Sequence, residues 1–255
     1  MELNFKTFGQ GPAIVILHGL FGSLDNWVTH ARTLSENFSV YIVDQRNHGK
    51  SFHSPQWDYP TMAEDLNHFL DQHGIFQTHL LGHSMGGKTV MQFAMDHPQR
   101  IDKLMVIDIA PVDYEPHHDE LLEALIHFDL KSIGSRQEAD EQLGKKIKDP
   151  GVRQFLLKSL GRDEDKNFTW KFNLEVIYEK YPNVLKGIDT SFGYDGSTLF
   201  LYGEKSNYIN PNNITEIQED FTNATFRKIP GAGHWVHADA PELFIREIQD
   251  FLQAS

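Results

Sequence analysis

The chain contains 255 residues, a length that fits one large domain or a domain with a small insertion. Its hydrophobic fraction is 40%, which is enough to bury a substantial core. The formal net charge of -13 at pH 7 makes nucleic acid and anionic membranes unsuitable partners for the surface as a whole. The sequence contains no cysteine, which excludes disulfide and thiol chemistry.

The N-terminal sequence MELNFKTFGQGP does not have the composition of a targeting segment. It lacks a basic stretch followed by an apolar one, so no signal peptide is expected. No run of about 18 consecutive apolar residues occurs, so no membrane-spanning helix is predicted. These features predict a soluble, cytoplasmic protein.

Short apolar runs bounded by turn residues recur along the chain and predict strands that are buried on both faces. The runs are AIVIL (13–17), VYIVD (40–44), HLLG (79–82), LMVID (104–108) and TLFLYG (198–203). Segments with the spacing of amphipathic helices lie between and after them, for example TMAEDLNHFLDQHG and ELFIREIQDFL. This alternation predicts an α/β fold with a mostly parallel, doubly wound sheet.

The alternation stops between residues 111 and 195, where charged helix formers dominate and no convincing buried strand is present. We therefore predict a core formed by residues 1–110 and 196–255, with residues 111–195 as a helical cap insertion. Such a cap is expected over the C-terminal edge of the sheet, where open α/β sheets bind ligands. A metal site at the HHD sequence (117–119) is disfavoured, because consecutive residues on a helix point apart.

The sequence HLLGHSMGGKTVMQFAMDHP contains a nucleophile elbow in its required context. A predicted strand runs directly into GHSMG (82–86), and a predicted amphipathic helix follows as far as Pro98. In a G-x-S-x-G turn, the glycines allow neighbouring chain to approach the serine closely, so the serine oxygen projects above the sheet. Ser84 is the predicted nucleophile.

The sequence LHGLFG (17–22) follows the first buried run and predicts a tight turn. A backbone N–H in this turn, that of Leu20, is expected to face the serine. Together with the N–H of Met85 it would form an oxyanion hole for a tetrahedral intermediate. His18 is interpreted as a structural residue that holds the loop, and not as the catalytic base.

The sequence IPGAGHWVHADAPELF places His234 in a glycine-rich loop between a strand end and a helix that begins near Pro241. A general base needs such a loop at the catalytic edge of the sheet. His234 is therefore the predicted base. His237 is an alternative, but it lies nearer to the helix and has no flanking glycine turn.

Four motifs, HGLFGS, VDQRNHGKS, GHSMGGK and GAGHW, occur in the order that is typical of the α/β-hydrolase superfamily, which the chain resembles over nearly its whole length. The segment IDKLMVIDIAPVDY narrows the resemblance to the small bacterial esterases of the YbfF type, relatives of the mammalian abhydrolase-domain lipase-like proteins. The resemblance implies the α/β-hydrolase fold with a helical cap. It also implies hydrolysis of carboxylic esters and acyl thioesters, including acyl-CoA, without a metal or organic cofactor.

In this superfamily the loop after the strand at 198–203 usually carries the catalytic aspartate, but here the candidate position is Asn207. An amide stabilises an imidazolium poorly, and replacing a triad aspartate by asparagine can lower turnover by about 10⁴-fold. We therefore expect the acid at the end of another strand. Asp108 ends the run at 104–108, beside the nucleophile strand, and neighbouring strands lie only about 4.8 Å apart.

Two other carboxylates remain as alternatives. Asp113 lies five residues further along, in the predicted insertion, and Glu204 directly follows the strand whose loop would normally supply the acid. The resemblance implies Asp108, because the YbfF-type family places its acid after the sixth strand of the family's fold rather than after the seventh. The predicted triad is therefore Ser84, Asp108 and His234.

These features predict a serine esterase or thioesterase whose partner is a small acyl ester or thioester. Phe21 and Trp235 are expected to contact that substrate, and no metal or other cofactor is expected. The alternatives are a cofactor-free perhydrolase, a carbon–carbon bond hydrolase, or a non-catalytic ligand-binding protein on the same scaffold, because a fold does not determine a function. The sequence is compatible with a monomer or a homodimer.

Overall fold

A computed structural model of the protein describes residues 2–254. Within this range the chain forms nine strands, of which seven make one sheet and two make a separate hairpin. The strands are β1 (Phe5–Phe8), β2 (Ala13–Leu17), β3 (Ser39–Val43), β4 (Thr78–His83), β5 (Ile101–Ile107), β6 (Leu160–Arg162), β7 (Phe168–Trp170), β8 (Thr198–Gly203) and β9 (Ala224–Ile229).

The large sheet has the order β1-β3-β2-β4-β5-β8-β9, and every neighbouring pair except β1 with β3 is parallel. The predicted mostly parallel α/β sheet is therefore confirmed. Strand β1 was not predicted, because this edge strand has two exposed residues between two partly buried ones and no continuous apolar run. Strand β4 lies at the centre of the sheet and all six of its residues are buried.

Ten α-helices accompany these strands, and within residues 2–254 none is long and apolar enough to cross a lipid bilayer. The helices are α1 (Val28–Leu34), α2 (Tyr59–Gln72), α3 (Met85–Asp96), α4 (Asp119–Ile126), α5 (Arg136–Leu143), α6 (Pro150–Lys158), α7 (Leu174–Leu185), α8 (Pro211–Asp220), α9 (Val236–Asp239) and α10 (Pro241–Gln253). One apolar cluster packs α2 and α3 on one face of the sheet, and a second packs α1 and α10 on the other. The sheet is thus covered on both faces, as a doubly wound fold requires.

Helix α2 shows how local sequence sets the bounds of an element. Asp58 caps its N-terminus, because the carboxylate accepts a hydrogen bond of 2.9 Å from the N–H of Thr61. Pro60 lies in the first turn, where its missing N–H costs nothing. The chain leaves the helix at Gly74, whose φ of +65° favours glycine.

The insertion contains α4, α5, α6 and α7, but it is not purely helical. Strands β6 and β7 form an antiparallel hairpin in which Leu160 pairs with Trp170. The sequence indicated no convincing buried strand in the insertion, and this short hairpin, with one buried residue in each strand, was not predicted. Each strand is only three residues long and contains polar or glycine positions, so the sequence shows no apolar run there.

The connections into and out of the cap run side by side and are joined to the core by Lys88. The Lys88 Nζ donates hydrogen bonds to the carbonyl oxygens of Val112 (2.8 Å), Leu185 (3.2 Å) and Lys186. Burial lowers the pKa of Lys88 to about 7. The exact bounds of 111–195 for the cap stay a prediction, since Tyr194 already packs in the core cluster beside the sheet.

Candidate active site

The turn between β4 and α3 places Ser84 at the C-terminal edge of the sheet. Ser84 has φ 53° and ψ -119°, a strained conformation for a residue with a Cβ. A Cβ on Gly82 would lie 2.1 Å from the carbonyl oxygen of Gly86, and a Cβ on Gly86 would lie 2.6 Å from that of Leu17. The chain can make this turn only because both flanking positions are glycine.

His234 contacts both of the other residues of the predicted triad. Its Nε2 lies 3.1 Å from Ser84 Oγ, and its Nδ1 lies 2.6 Å from Asp108 Oδ2. Asp108 is fully buried at the end of β5, next to β4, the strand that leads into Ser84. The structure therefore brings the three side chains into one continuous hydrogen-bonded chain.

Asp108 has hydrogen-bond partners on both carboxylate oxygens. The Gly203 N–H donates to Oδ1 at 3.0 Å, and the Ser206 hydroxyl donates to Oδ2 at 2.5 Å. These two bonds hold the buried carboxylate in a fixed orientation beside His234. The sequence analysis missed Ser206, which directly precedes Asn207. The only available indication was a hydroxyl residue in the loop where the superfamily usually places its acid.

The other candidate acids lie away from His234. Asp113 is exposed and accepts a hydrogen bond from the N–H of Gly187 (2.5 Å), whereas the exposed Glu204 accepts one from Gly231 (2.8 Å). Asn207 is also exposed. Asp108 is the carboxylate whose oxygen lies within hydrogen-bond distance of the His234 ring.

Replacing Ser206 with alanine is expected to lower kcat/KM for ester hydrolysis by about tenfold. A hydrogen bond to a charged group contributes about 1.5–3 kcal/mol, and Asp108 would keep its bond from Gly203. Steady-state kinetics on p-nitrophenyl butyrate would measure the effect. Ser191→Ala is a matched control, because Ser191 donates a similar bond to Asp189, an exposed carboxylate that does not contact His234. Activity of Ser206→Ala within twofold of the wild type would show that the bond does not support the acid.

Two further side chains hold the histidine in place. Tyr208 stacks on the His234 ring, with 4.1 Å between ring centroids and 28° between the planes. His83 Nε2 donates a hydrogen bond of 2.9 Å to the carbonyl oxygen of His234. The sequence analysis did not identify either contact.

The turn after β2 lies next to the serine. A Cβ on Gly19 would lie 3.2 Å from Ser84 Cβ, so the chain approaches Ser84 closely here. Among the described residues, neither the N–H of Leu20 nor that of Met85 has an acceptor in the protein. Both groups are therefore available to an oxyanion.

His18 has the structural bonds that the sequence analysis expected. Its Nε2 accepts a hydrogen bond from the N–H of Gln45 (3.0 Å), and its Nδ1 donates to the carbonyl oxygen of Gly19 (2.8 Å). Burial lowers the pKa of His18 to about 4, so the ring is neutral at pH 7. The residue holds the turn beside the serine and does not contact His234.

A small pocket of about 90 Å³ opens above Ser84 between the sheet and the cap. Phe21 and Trp235, the predicted substrate contacts, both line it. Trp235 packs against Phe155 of α6, with 5.1 Å between ring centroids. The pocket is thus mainly apolar, and cap residues form one side of it.

His237, the alternative base, lies behind the site and not beside the serine. It is buried and stacks on Trp27 with 4.4 Å between ring centroids. Burial lowers its pKa to about 3.

Burial also lowers the pKa of His48 to about 3. Three buried histidines, His18, His48 and His237, are therefore neutral in the folded protein.

Because of these three histidines, we expect the free energy of unfolding to fall in mild acid. The pKa values of these histidines in the folded protein lie below the unfolded value of about 6.5. Their contribution to the free energy of unfolding is therefore complete above pH 6.5, and it falls as the pH drops toward about 3–4. Each contributes a slope of about 1.4 kcal/mol per pH unit within this window. Urea unfolding at pH 7 and pH 5 would measure the change in the free energy of unfolding.

The variant His237→Phe is expected to reduce this acid sensitivity, because phenylalanine keeps the stack on Trp27 and cannot bind a proton. His68→Gln is the control, since the side chain of His68 is 64% exposed. Equal losses of stability between pH 7 and pH 5 in the wild type and in His237→Phe would contradict the assignment.

Within residues 2–254, no group of three or more histidine or carboxylate side chains is placed to hold a metal ion. The consecutive histidines of the cap bond instead to tyrosines. His117 Nε2 contacts the Tyr208 hydroxyl, and His118 Nδ1 lies 2.9 Å from the Tyr181 hydroxyl.

The fold agrees with what comparison with known proteins finds. Residues 12–241 match the family model described as alpha/beta hydrolase fold. The chain is 40% identical to esterase YbfF of Escherichia coli, over 99% of both chains. It is also 40% identical to sn-1-specific diacylglycerol lipase ABHD11 of Danio rerio, over 99% of this chain and 83% of that protein.

A solved structure described as a marine microorganism esterase superposes with a TM-score of 0.94. That protein is 41% identical, and the match covers 98% of this chain and 99% of the other. The family match and these relatives extend over the core and the cap together. The chain belongs to the α/β hydrolase family.

Proposed function

We propose that the protein is a serine hydrolase that cleaves carboxylic esters with Ser84, His234 and Asp108. The observation that carries this proposal is the continuous hydrogen-bonded chain from Ser84 Oγ through His234 to the buried Asp108. A strained serine on a strand-to-helix turn, next to a histidine that a buried carboxylate orients, is the arrangement needed for nucleophilic acyl transfer.

In the first half of the reaction, Ser84 Oγ attacks the acyl carbonyl carbon while His234 Nε2 accepts the serine proton. The carbonyl oxygen gains negative charge, and the N–H groups of Leu20 and Met85 are the donors available to it. The N-terminus of α3 adds a favourable dipole at the same position. The imidazolium then gives its proton to the leaving oxygen, which departs as the alcohol.

In the second half, water attacks the acyl carbon and gives a proton to His234. The bond between the acyl carbon and Ser84 Oγ then breaks, Oγ takes the proton from the imidazolium, and the carboxylic acid is released. Asp108 stabilises the imidazolium in both halves because it remains charged and bonded to Nδ1. Gly203 and Ser206 hold the carboxylate in this orientation. Tyr208 stacks on the imidazole and limits rotation of the ring.

The relatives support a hydrolase of the esterase or lipase kind, since they are named as an esterase and as diacylglycerol lipases. We extend the proposal to acyl thioesters, which react by the same attack on a carbonyl carbon. Perhydrolysis and carbon–carbon bond cleavage on this scaffold, or ligand binding without turnover, are the alternatives. The small apolar pocket above Ser84 favours esters with short acyl chains.

Hydrolysis of p-nitrophenyl esters from acetate to palmitate, with acyl-CoA thioesters measured alongside, would test the function. We expect turnover that is highest for short acyl chains. A fluorophosphonate should stop turnover, because Ser84 Oγ displaces fluoride from phosphorus, and the mass of the phosphonyl group should appear on the peptide that contains Ser84. Absence of turnover on every ester and thioester would overturn the proposal, and tight ligand binding without turnover would then favour a binding protein.

A further inference from the structure

A cap residue, His118, faces the reacting centre from the side opposite the sheet. Two pockets meet at Ser84, one of about 90 Å³ and one of about 30 Å³. Three residues line both pockets: the serine, Leu20 and His118. His118 is therefore the cap side chain that borders the position of the scissile ester on both sides.

The orientation of the His118 ring is fixed. Its Nδ1 lies 2.9 Å from the Tyr181 hydroxyl, and its ring meets those of Tyr181 and Phe21 nearly edge to face. Among the described residues the Tyr181 hydroxyl has no acceptor other than His118 Nδ1, so its hydrogen is donated to that nitrogen. We assign the remaining ring proton to Nε2 on this basis.

His118 is uncharged under ordinary conditions. Burial lowers its pKa to about 3, with smaller contributions in the same direction from His117 and His234. Among the described residues, Nε2 has no acceptor in the protein. A neutral N–H donor next to a reactive ester recognises an oxygen atom and does not require a negative charge.

The surroundings of His118 also carry no compensating charge. No aspartate, glutamate, lysine or arginine lines either pocket within residues 2–254. The nearby Lys88 lies behind the rings of Tyr59 and Tyr114, 5.5 Å and 4.8 Å from their centroids, and bonds to three backbone carbonyls. A charged group beside the ester would therefore be buried without a partner, which is costly.

We infer that His118 is a specificity-determining residue that donates a hydrogen bond from Nε2 to an uncharged hydroxyl or carbonyl oxygen adjacent to the scissile ester. The substrates are then neutral esters that carry such an oxygen, on either the alcohol or the acyl side. This inference rests on the proposed ester hydrolysis at Ser84.

The test compares kcat/KM within pairs of small esters on one enzyme preparation. For the alcohol side the pair is 2-hydroxyethyl butyrate and propyl butyrate, and for the acyl side it is ethyl 3-hydroxybutyrate and ethyl butyrate. We expect the wild type to prefer the hydroxylated member of at least one pair by about threefold to tenfold, as one neutral hydrogen bond provides. Carboxymethyl butyrate, an anionic ester, should be hydrolysed at least tenfold less efficiently than propyl butyrate.

His118→Phe keeps the ring but removes the donor, so the preference should fall to about one. His118→Gln retains an N–H donor and should restore part of it, and Tyr181→Phe should weaken it by releasing the ring. His127→Phe is the matched control, since His127 is an exposed histidine of the same cap. Each preference is a ratio of two kcat/KM values measured on one preparation, so it does not depend on the fraction of enzyme that is folded.

The outcomes separate the two proposals. Equal preferences in the wild type and in His118→Phe, or efficient hydrolysis of carboxymethyl butyrate, would overturn the inference while ester hydrolysis itself stands. No hydrolysis of any of these esters or of p-nitrophenyl butyrate by the wild type would overturn the proposed function, and this inference with it.

Discussion

Ser84→Ala is expected to lower kcat for p-nitrophenyl butyrate by about 10⁶-fold, because removal of a triad nucleophile removes the contribution of the whole triad. The N–H groups of Leu20 and Met85 would remain, so a small residual rate above the uncatalysed reaction is expected. Steady-state kinetics at high enzyme concentration would measure this residual rate. More than about 1% residual activity would exclude Ser84 as the nucleophile.

The fold of the Ser84→Ala variant should be intact, because alanine has the same Cβ as serine and experiences the same strain at φ 53°. Ser84→Gly should be inactive but more stable by about 1 kcal/mol, since glycine adopts this conformation readily. Thermal melting would compare the two variants. Ser197→Ala, at an exposed serine before β8, is the control and should retain wild-type activity.

The turn at Ser84 could be predicted from the sequence because its constraints are local. Gly82 and Gly86 are required within five residues of chain, and a buried strand and an amphipathic helix flank them. Predicting the position of Asp108 required one further inference, that β4 and β5 are neighbours in the sheet. The alternation of strands and helices already implied this. Parallel sheets place the C-terminal ends of such strands at one edge.

Ser206 and Tyr208 could not be predicted in the same way. Their contacts with Asp108 and His234 depend on the path of the loop after β8, which no local periodicity describes. Asn207 lies between them, at the position where the superfamily usually has its acid. The side chain of Asn207 is exposed, and the residues on either side of it turn toward the site.

The cap shows a second limit of sequence analysis. The charged helix formers of residues 111–195 predicted a helical cap, but the three-residue strands β6 and β7 carry no pattern that could be recognised. The position of His118 above Ser84 is a matter of tertiary packing, through the bond to Tyr181. In the sequence His118 stands beside another histidine and an aspartate, and this pattern raised the question of a metal site.

Asp108→Asn is expected to lower kcat by about 10⁴-fold with little change in KM. Asp108 accepts hydrogen bonds on both oxygens, from Gly203 on Oδ1 and from Ser206 and His234 on Oδ2. An asparagine would have to direct its NH₂ group either at the Gly203 N–H or at the histidine. If the NH₂ group faces the Gly203 N–H, two hydrogen-bond donors oppose each other. If it faces the histidine, His234 is left in the wrong tautomer and without a negative charge beside it.

Asn207→Asp separates this assignment from the alternative in which the acid is missing. If Asp108 is the acid, Asn207→Asp alone should retain wild-type activity within about twofold, because residue 207 is exposed and does not contact His234. The double variant should remain as inactive as Asp108→Asn. Recovery of kcat by Asn207→Asp in the Asp108→Asn background would show that a carboxylate in the loop after β8 can reach the histidine. An Asp108→Asn variant with nearly full activity would remove Asp108 from the triad, and the exposed Asp113 and Glu204 would then have to be tested in turn.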